Sequence, residues 1–142
     1  KSGSIVQSGS PSDLYNNPLS PYVANFFGET NIFTGFVKNS IVETAVGDII
    51  TNKSFESKKV DIHIRPQAIK LSEQETPVNG IKGTVMASKL MGSYSFIHLT
   101  VLDKNQNKIH VHSHMPPNFN PKRSSAVAIE IDREKIFIFP KD

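Results

Sequence analysis

Ser93-Tyr94-Ser95-Phe96-Ile97-His98-Leu99-Thr100-Val101-Leu102, then Asp103-Lys104-Asn105-Gln106-Asn107, then Lys108-Ile109-His110-Val111-His112-Ser113-His114-Met115 reads as a β-hairpin. Side chains alternate across a strand, so Ile97, Leu99 and Val101 share one face while Phe96, His98 and Thr100 share the other. The polar five-residue block between the two runs has turn composition. On the returning strand Ile109 and Val111 point inward, which sends His110, His112 and His114 outward.

The same period recurs on both sides of this hairpin. Asn31–Lys38 and Ile41–Ala45 read as two strands joined at Lys38-Asn39-Ser40. Val60–Arg65 alternates and is closed by Pro66, which cannot donate to a ladder. Ile69–Leu71 is a short strand, and residues 72–79 form a polar connector. Gly80–Leu90 is a long strand with Gly83 and Gly92 as bulge or turn points, and Ser125–Asp132 and Ile136–Phe139 complete the set. About nine short strands with turns every 8–12 residues predict a mainly β protein, a small barrel or sandwich. Residues 5–7 read as the end of a further strand.

Two short helices precede the strands. Ser10-Pro11 followed by Asp13 is a capping-box variant, and Asn16-Asn17-Pro18 stops that helix. Ser20-Pro21 starts a second one through Phe27, with Gly28 as its stop. Tyr22, Phe26 and Val23 share a face by three-and-four spacing and are expected to dock on a core.

Composition narrows the function classes. The chain has 142 residues, of which 37% are hydrophobic, enough for one domain with a core. Sixteen basic residues against 13 acidic give a net charge of +3, and the only basic pairs are Lys58-Lys59 and Lys122-Arg123. That is no nucleic-acid footprint, so no nucleic-acid partner is expected. There is no cysteine, hence no disulfide framework, thiolate metal site or thiol nucleophile. No apolar run reaches the ~20 residues of a membrane span, so direct insertion is not expected. None of the eight glycines precedes a lysine, so a G-x-x-x-x-G-K-[ST] phosphate loop is absent. Paired carboxylates such as Glu130 and Asp132 lie beside Arg133 and Lys135 and read as a solvated rim. No catalytic residue is assigned.

Two constellations remain open from the residues alone. Four of the five histidines fall between 98 and 114. Residues two apart on a strand share a face about 6.5–7 Å apart, so His98, His110, His112 and His114 are candidate metal ligands. The alternative is the ordinary outer face of an antiparallel strand. Arg65, with Asp61 and His63 on its strand face, is a candidate anion ligand or a structural hydrogen-bonding anchor.

Gly3-Ser4-Ile5-Val6-Gln7-Ser8-Gly9-Ser10-Pro11, with Asp13-Leu14-Tyr15-Asn16-Asn17-Pro18 and Tyr22-Val23-Ala24-Asn25-Phe26-Phe27-Gly28-Glu29-Thr30-Asn31, resembles the junction ending the nucleotide-binding domain of ABC-importer ATPases. Asp13 and Tyr22 stand where that family usually has Glu and Phe. Ile64-Arg65-Pro66-Gln67-Ala68-Ile69 is similar to the family's regulatory-region motif, with Gln67 for Glu. Gly83-Thr84-Val85, Gly92-Ser93-Tyr94, Ala126–Asp132 and Phe137-Ile138-Phe139-Pro140 follow the second part more loosely.

The resemblance implies the C-terminal regulatory region called a TOBE domain, with OB-like, MOP-like β-barrels. Residues 1–29 would then be the end of the nucleotide-binding domain and a linker. Residues 30–142 would be the regulatory barrel region, in blocks of about 30–72 and 80–142. Lys1 in place of Met agrees with a fragment of a longer chain. The segment Lys89–Leu99 and the ending look most like ferric-iron and sulfate members, with ferric iron favoured.

Further expectations come from the resemblance. The fragment would carry no cofactor, since ATP and Mg belong to the parent's N-terminal domain. It would form a homodimer, and the contact residues expected from the sequence are exposed apolar ones, Phe96, Met115 and Phe119, beside the Pro116-Pro117 loop. The parent would associate with permease subunits at the cytoplasmic face of the inner membrane. Molybdate-binding relatives hold an oxyanion in the region occupied here by Ser88, Lys89, Ser93 and Tyr94. The alternative function is therefore a small-ligand sensor for an oxyanion or a metal, in a sulfate, polyamine, sugar or molybdate importer.

Overall fold

A computed structural model describes residues 9–26, 28–73 and 80–141. The expected strand end at 5–7 and most of the 72–79 connector lie outside them. In chain order the elements are α1 (Pro11–Asn16), α2 (Pro21–Phe26), β1 (Asn31–Phe36), β2 (Ile41–Thr44), β3 (Gly47–Ile50), β4 (Lys59–Ile64) and β5 (Ile69–Ser72). They continue with β6 (Lys82–Leu90), β7 (Ser95–Leu102), β8 (Lys108–Met115), β9 (Ala126–Ile131) and β10 (Ile136–Pro140).

Both helices start where the Ser-Pro pairs place them. Ser10 accepts the Asp13 N–H at 3.2 Å and Ser20 accepts the Val23 N–H at 3.3 Å, each satisfying a donor the first turn leaves free. The buried face of α2 differs from the expected one. Val23 and Ala24 are the buried residues, while Tyr22 and Phe26 stack on each other at 6.1 Å between ring centroids and remain exposed. The three-and-four spacing correctly paired the two rings, but spacing alone does not say which stripe faces inward.

The chain is mainly β, and among the described residues every strand pairing is antiparallel. One sheet has the order β1-β4-β10, a two-stranded ribbon joins β2 to β3, and a five-stranded sheet runs β5-β9-β6-β7-β8. The β7–β8 hairpin forms as expected, with Ser95 opposite Met115 and Leu102 opposite Lys108. In its turn, the Asp103 carboxylate accepts the Asn105 and Asn107 N–H groups at 2.8 and 2.9 Å. Ile97, Leu99 and Val111 are fully buried, and with Ile62, Ile64, Ile69 and Ile129 they belong to one continuous core.

The barrel does not close by a ladder. Its edge strands β5 and β8 meet instead through Ser113 Oγ, which donates to the Ile69 carbonyl at 2.5 Å, and through the Leu71 N–H, 3.5 Å from the Met115 sulfur. The blocks around 30–72 and 80–142 share sheets, because β4 pairs with β10 and β5 with β9.

Two local readings change. The turn at Asn39-Ser40 is real: both residues are left-handed, at φ 56 and 59, and Glu56 accepts both N–H groups at 2.8 and 2.7 Å. Yet only Lys38 and Ile41 bridge across it; β2 then pairs with β3, and β1 with β4. The bulge in β6 falls between Val85 and Ala87 rather than at Gly83.

Close packing also explains Gly35 on β1. A Cβ there would lie 2.4 Å from Cγ2 of the fully buried Val42. Gly35→Ala is expected to cost about 1–3 kcal/mol by overpacking. A urea melt with an unchanged midpoint would contradict this.

Candidate functional site

The register of β7 and β8 assembles a face of rings. His98 lies opposite His112, Phe96 opposite His114 and Thr100 opposite His110, all turned away from the core. His98 Nε2 and His110 Nδ1 are 2.8 Å apart, and their rings are tilted by 38°. The His112 ring meets His98 edge-on at 5.2 Å, and its Nδ1 contacts Glu29 Oε2 at 2.5 Å. His114 stacks under Tyr94 at 4.3 Å, and its buried Nε2 has no hydrogen-bond partner.

The four histidines therefore share a face, as alternation predicts, but they do not converge. Among the described residues, no group of three or more His, Asp or Glu side chains has the arrangement of a metal centre. Two-residue spacing along a strand sets neighbouring rings about 6.5–7 Å apart at their bases, so they stack in rows rather than meet at a point. Burial keeps the His98 pKa below its usual value, with His112 and His110 acting the same way. Burial also lowers that of His114, against the pull of Glu29 and together with His112.

The four residues expected around an oxyanion take separate positions. Ser88 is on the inward row, opposite Ile97, and donates to the Pro121 carbonyl at 2.9 Å. Lys89 and Ser93 are exposed, and Tyr94 is half-buried against His114. The corner itself is a tight turn, with Gly92 left-handed at φ 94 and the Met91 N–H bonded to the Tyr94 carbonyl at 2.9 Å.

Of the residues expected at a dimer contact, none is fully exposed. Met115 and Phe119 pack against the core, and Phe96 lies 4.9 Å from the His112 ring. Larger exposed apolar side chains are Leu19, Phe26, Phe36, Ile50 and Leu90.

Of the two roles open to Arg65, anion ligand or structural anchor, its contacts are those of the anchor. It is 1% exposed. Nη1 donates to the Ala24 and Gly28 carbonyls at 2.7 and 2.8 Å, and Nη2 to the Tyr15 carbonyl at 3.0 Å. These are carbonyls at the C-terminal ends of α2 and α1, where the helix dipole favours a cation. The guanidinium also lies over the Tyr15 ring at 4.2 Å. Burial lowers its pKa from the usual value, but an arginine side chain is not deprotonated in proteins. Gly28 packs closely beside it: a Cβ there would stand 3.1 Å from Nη1 and 3.2 Å from Tyr15 Cε1, so a neighbour would have to give way slightly.

Sequence reasoning missed the segment that links this anchor to the histidine face. Thr30 Oγ1 reaches His63 Nδ1 at 3.0 Å and Asn25 Oδ1 at 2.8 Å. Asn31 donates through Nδ2 to the carbonyls of Ile64 and His112, at 3.2 and 2.9 Å, and accepts the His112 N–H at 2.8 Å. One polar segment thus ties the helices, β4 and β8 together. Also unforeseen is a surface groove of about 280 Å³ lined by Ile32, Thr34, Glu43, Asp103, Lys104 and Ile109.

His63 is buried, edge-on to Phe139 at 5.2 Å. Burial lowers its pKa from 6.5, against the pull of Asp61, while Arg65 lowers it further. Its folded-state value lies below the unfolded one, so the stability it contributes is complete above about pH 6.5 and declines as pH falls below that. His98 and His114 act in the same direction. The urea midpoint is expected to drop between pH 7 and 5, with a shallower slope in His63→Gln. An identical slope in that variant would refute the assignment.

Comparison with known proteins places this architecture. The TOBE domain family model matches residues 62–139. A glucose import ATP-binding protein of Saccharolobus solfataricus is 32% identical over 99% of this chain and 39% of its own length. A spermidine/putrescine import ATP-binding protein of Acetivibrio thermocellus is 42% identical over 55% of this chain and 23% of its own. An Fe(3+) ions import ATP-binding protein of Fusobacterium nucleatum is 26% identical over the whole chain and 38% of its own length. The chain thus spans well under half the length of these curated relatives.

Among solved structures, the cytoplasmic molybdate-binding protein ModG matches with a TM-score of 0.50 at 13% identity, covering 76% of this chain and 94% of that one. At that identity the likeness concerns the fold, which is OB-like. Since the family model takes in the second half of β4 and everything from there through most of β10, more than half of the sequence, this chain belongs to the TOBE domain family.

Proposed function

We propose that this chain is the TOBE region of an ATP-binding subunit of an ABC importer, acting through subunit contacts rather than catalysis. The observation that carries this reading is the alignment of 99% of the chain, helices included, with an import ATP-binding protein at 32% identity. The absence of a G-x-x-x-x-G-K-[ST] loop in these 142 residues leaves nucleotide chemistry to other parts of such a subunit. In this reading two copies of the region hold a pair of ATPase subunits together. The gain is effective concentration, and contact with permease subunits keeps the assembly at the cytoplasmic face of the membrane. The division at residue 29, between linker and barrel, belongs to the same proposal.

For the cargo, ferric iron is the choice favoured by the sequence motifs. Polyamines compete with it, because the 42% relative is named for spermidine and putrescine. The test is uptake of labelled Fe(III), spermidine, glucose and sulfate in cells carrying the full-length gene, or the gene lacking 62–139. Loss of uptake of one cargo on deletion, with Fe(III) first in order, supports the reading. Unchanged uptake of all four overturns it.

A further inference from the structure

We infer that His98 and His110 form a two-nitrogen site for a square-planar divalent transition ion, of which Cu(II) is the best fit. The inference needs nothing from the importer reading. It rests on one distance and on where the two rings stand.

His98 Nε2 and His110 Nδ1 lie 2.8 Å apart on the outer face of the β7–β8 hairpin. With metal–nitrogen bonds of about 2.0 Å, two adjacent ligands of a square-planar ion stand about 2.8 Å apart, whereas tetrahedral geometry asks for about 3.3 Å. The nitrogens are therefore already at the spacing of a square-planar edge. Each ring has only to turn by about 45°, so that its lone pair leaves the line between the nitrogens and points to a common apex. His110 is exposed, which gives it room to turn and gives the remaining two positions to water.

The proton count balances without a change of charge. In the free pair, one ring nitrogen must donate to the other. When the metal enters, that proton moves to the other nitrogen of the same ring, leaving two neutral imidazoles facing the ion. Imidazole suits Cu(II), and the usual order of affinities places Cu(II) above Ni(II) and Zn(II).

The other histidines are held elsewhere. His112 directs Nδ1 to Glu29, and His114 is fixed under Tyr94 with Nε2 buried. That division of labour makes the site specific to one pair within a histidine-rich face.

The test uses the full 142-residue chain, titrated with CuCl₂ against a chromophoric chelator near neutral pH, with EPR of the one-equivalent sample. The expected result is one ion per chain, coordinated by two imidazole nitrogens. Both His98→Gln and His110→Gln are expected to weaken binding at least tenfold, while His114→Phe, which keeps the stack on Tyr94, changes it less than twofold. Circular dichroism of each variant identifies any that fails to fold, and His110, exposed on its strand, is the safer of the two ligands to replace. The proposal is overturned by binding that survives in a folded His110→Gln. Equal weakening in His114→Phe, or several ions bound with no dependence on the pair, overturns it as well.

Discussion

Arg65→Ala is expected to cost about 3–5 kcal/mol, the largest loss for a single substitution outside the apolar core. Charge-assisted hydrogen bonds contribute about 1.5–3 kcal/mol each, and the four at Arg65 act as one unit, so they do not simply add. The substitution leaves the buried Ala24 carbonyl and the part-buried Gly28 and Tyr15 carbonyls without their donor. It also removes the cation from the Tyr15 ring. Arg65→Lys is expected to recover only part of the loss, because one ammonium cannot reproduce the fork that spans two helix ends. Limited proteolysis separates this from general unfolding: cleavage between residues 9 and 30 should accelerate in both variants while the β-sheet signal persists. Unchanged cleavage there would remove the anchor role.

Asn31→Asp comes second, with an expected loss of about 2–4 kcal/mol, at least as large as that of Asn31→Ala. The amide is matched at both ends, accepting the His112 N–H and donating to two carbonyls. Aspartate keeps the acceptor and sets its second oxygen against those carbonyls, leaving them unpaired at about 1–3 kcal/mol apiece. The carbonyls raise the carboxyl pKa of the variant. Its deficit should therefore shrink as pH falls, opposite to the trend that His63 imposes on the parent chain. Chemical denaturation of both variants at two pH values tests the order. An aspartate variant more stable than the alanine one would contradict the donor assignment.

Much of the architecture could be read from period-two alternation. The β7–β8 hairpin, β9 and β10 fall where it places them, because one buried face imposes a strict register. What alternation does not carry is partner choice. Asn39-Ser40 has a hairpin turn, yet the strands diverge after one bridge, since β1 finds a longer partner in β4. β3 was missed because Gly47-Asp48-Ile49-Ile50 is too short to show a period. For the candidate site, the outward histidines were legible, while their pairing depends on a diagonal contact across two strands. Arg65 and Asn31 act through main-chain carbonyls, which every residue has, so no spacing of side chains could reveal their partners.

The pairing of β10 with β4 also bears on the order in which the chain acquires its structure. Ile136 sits opposite Ile64, and Pro140 opposite Val60, so the middle strand of the first sheet waits for a partner far downstream of it in the chain. Closing so long a loop is costly in entropy before any contact repays it, which slows folding. The β6–β7–β8 meander needs only neighbours and can assemble early. Between these two events, one edge of β4 stands open beside the fully buried Ile62 and Ile64. A ribosome stalled before Ile136 would thus display a sticky intermediate, and that interval is when a chaperone would matter most.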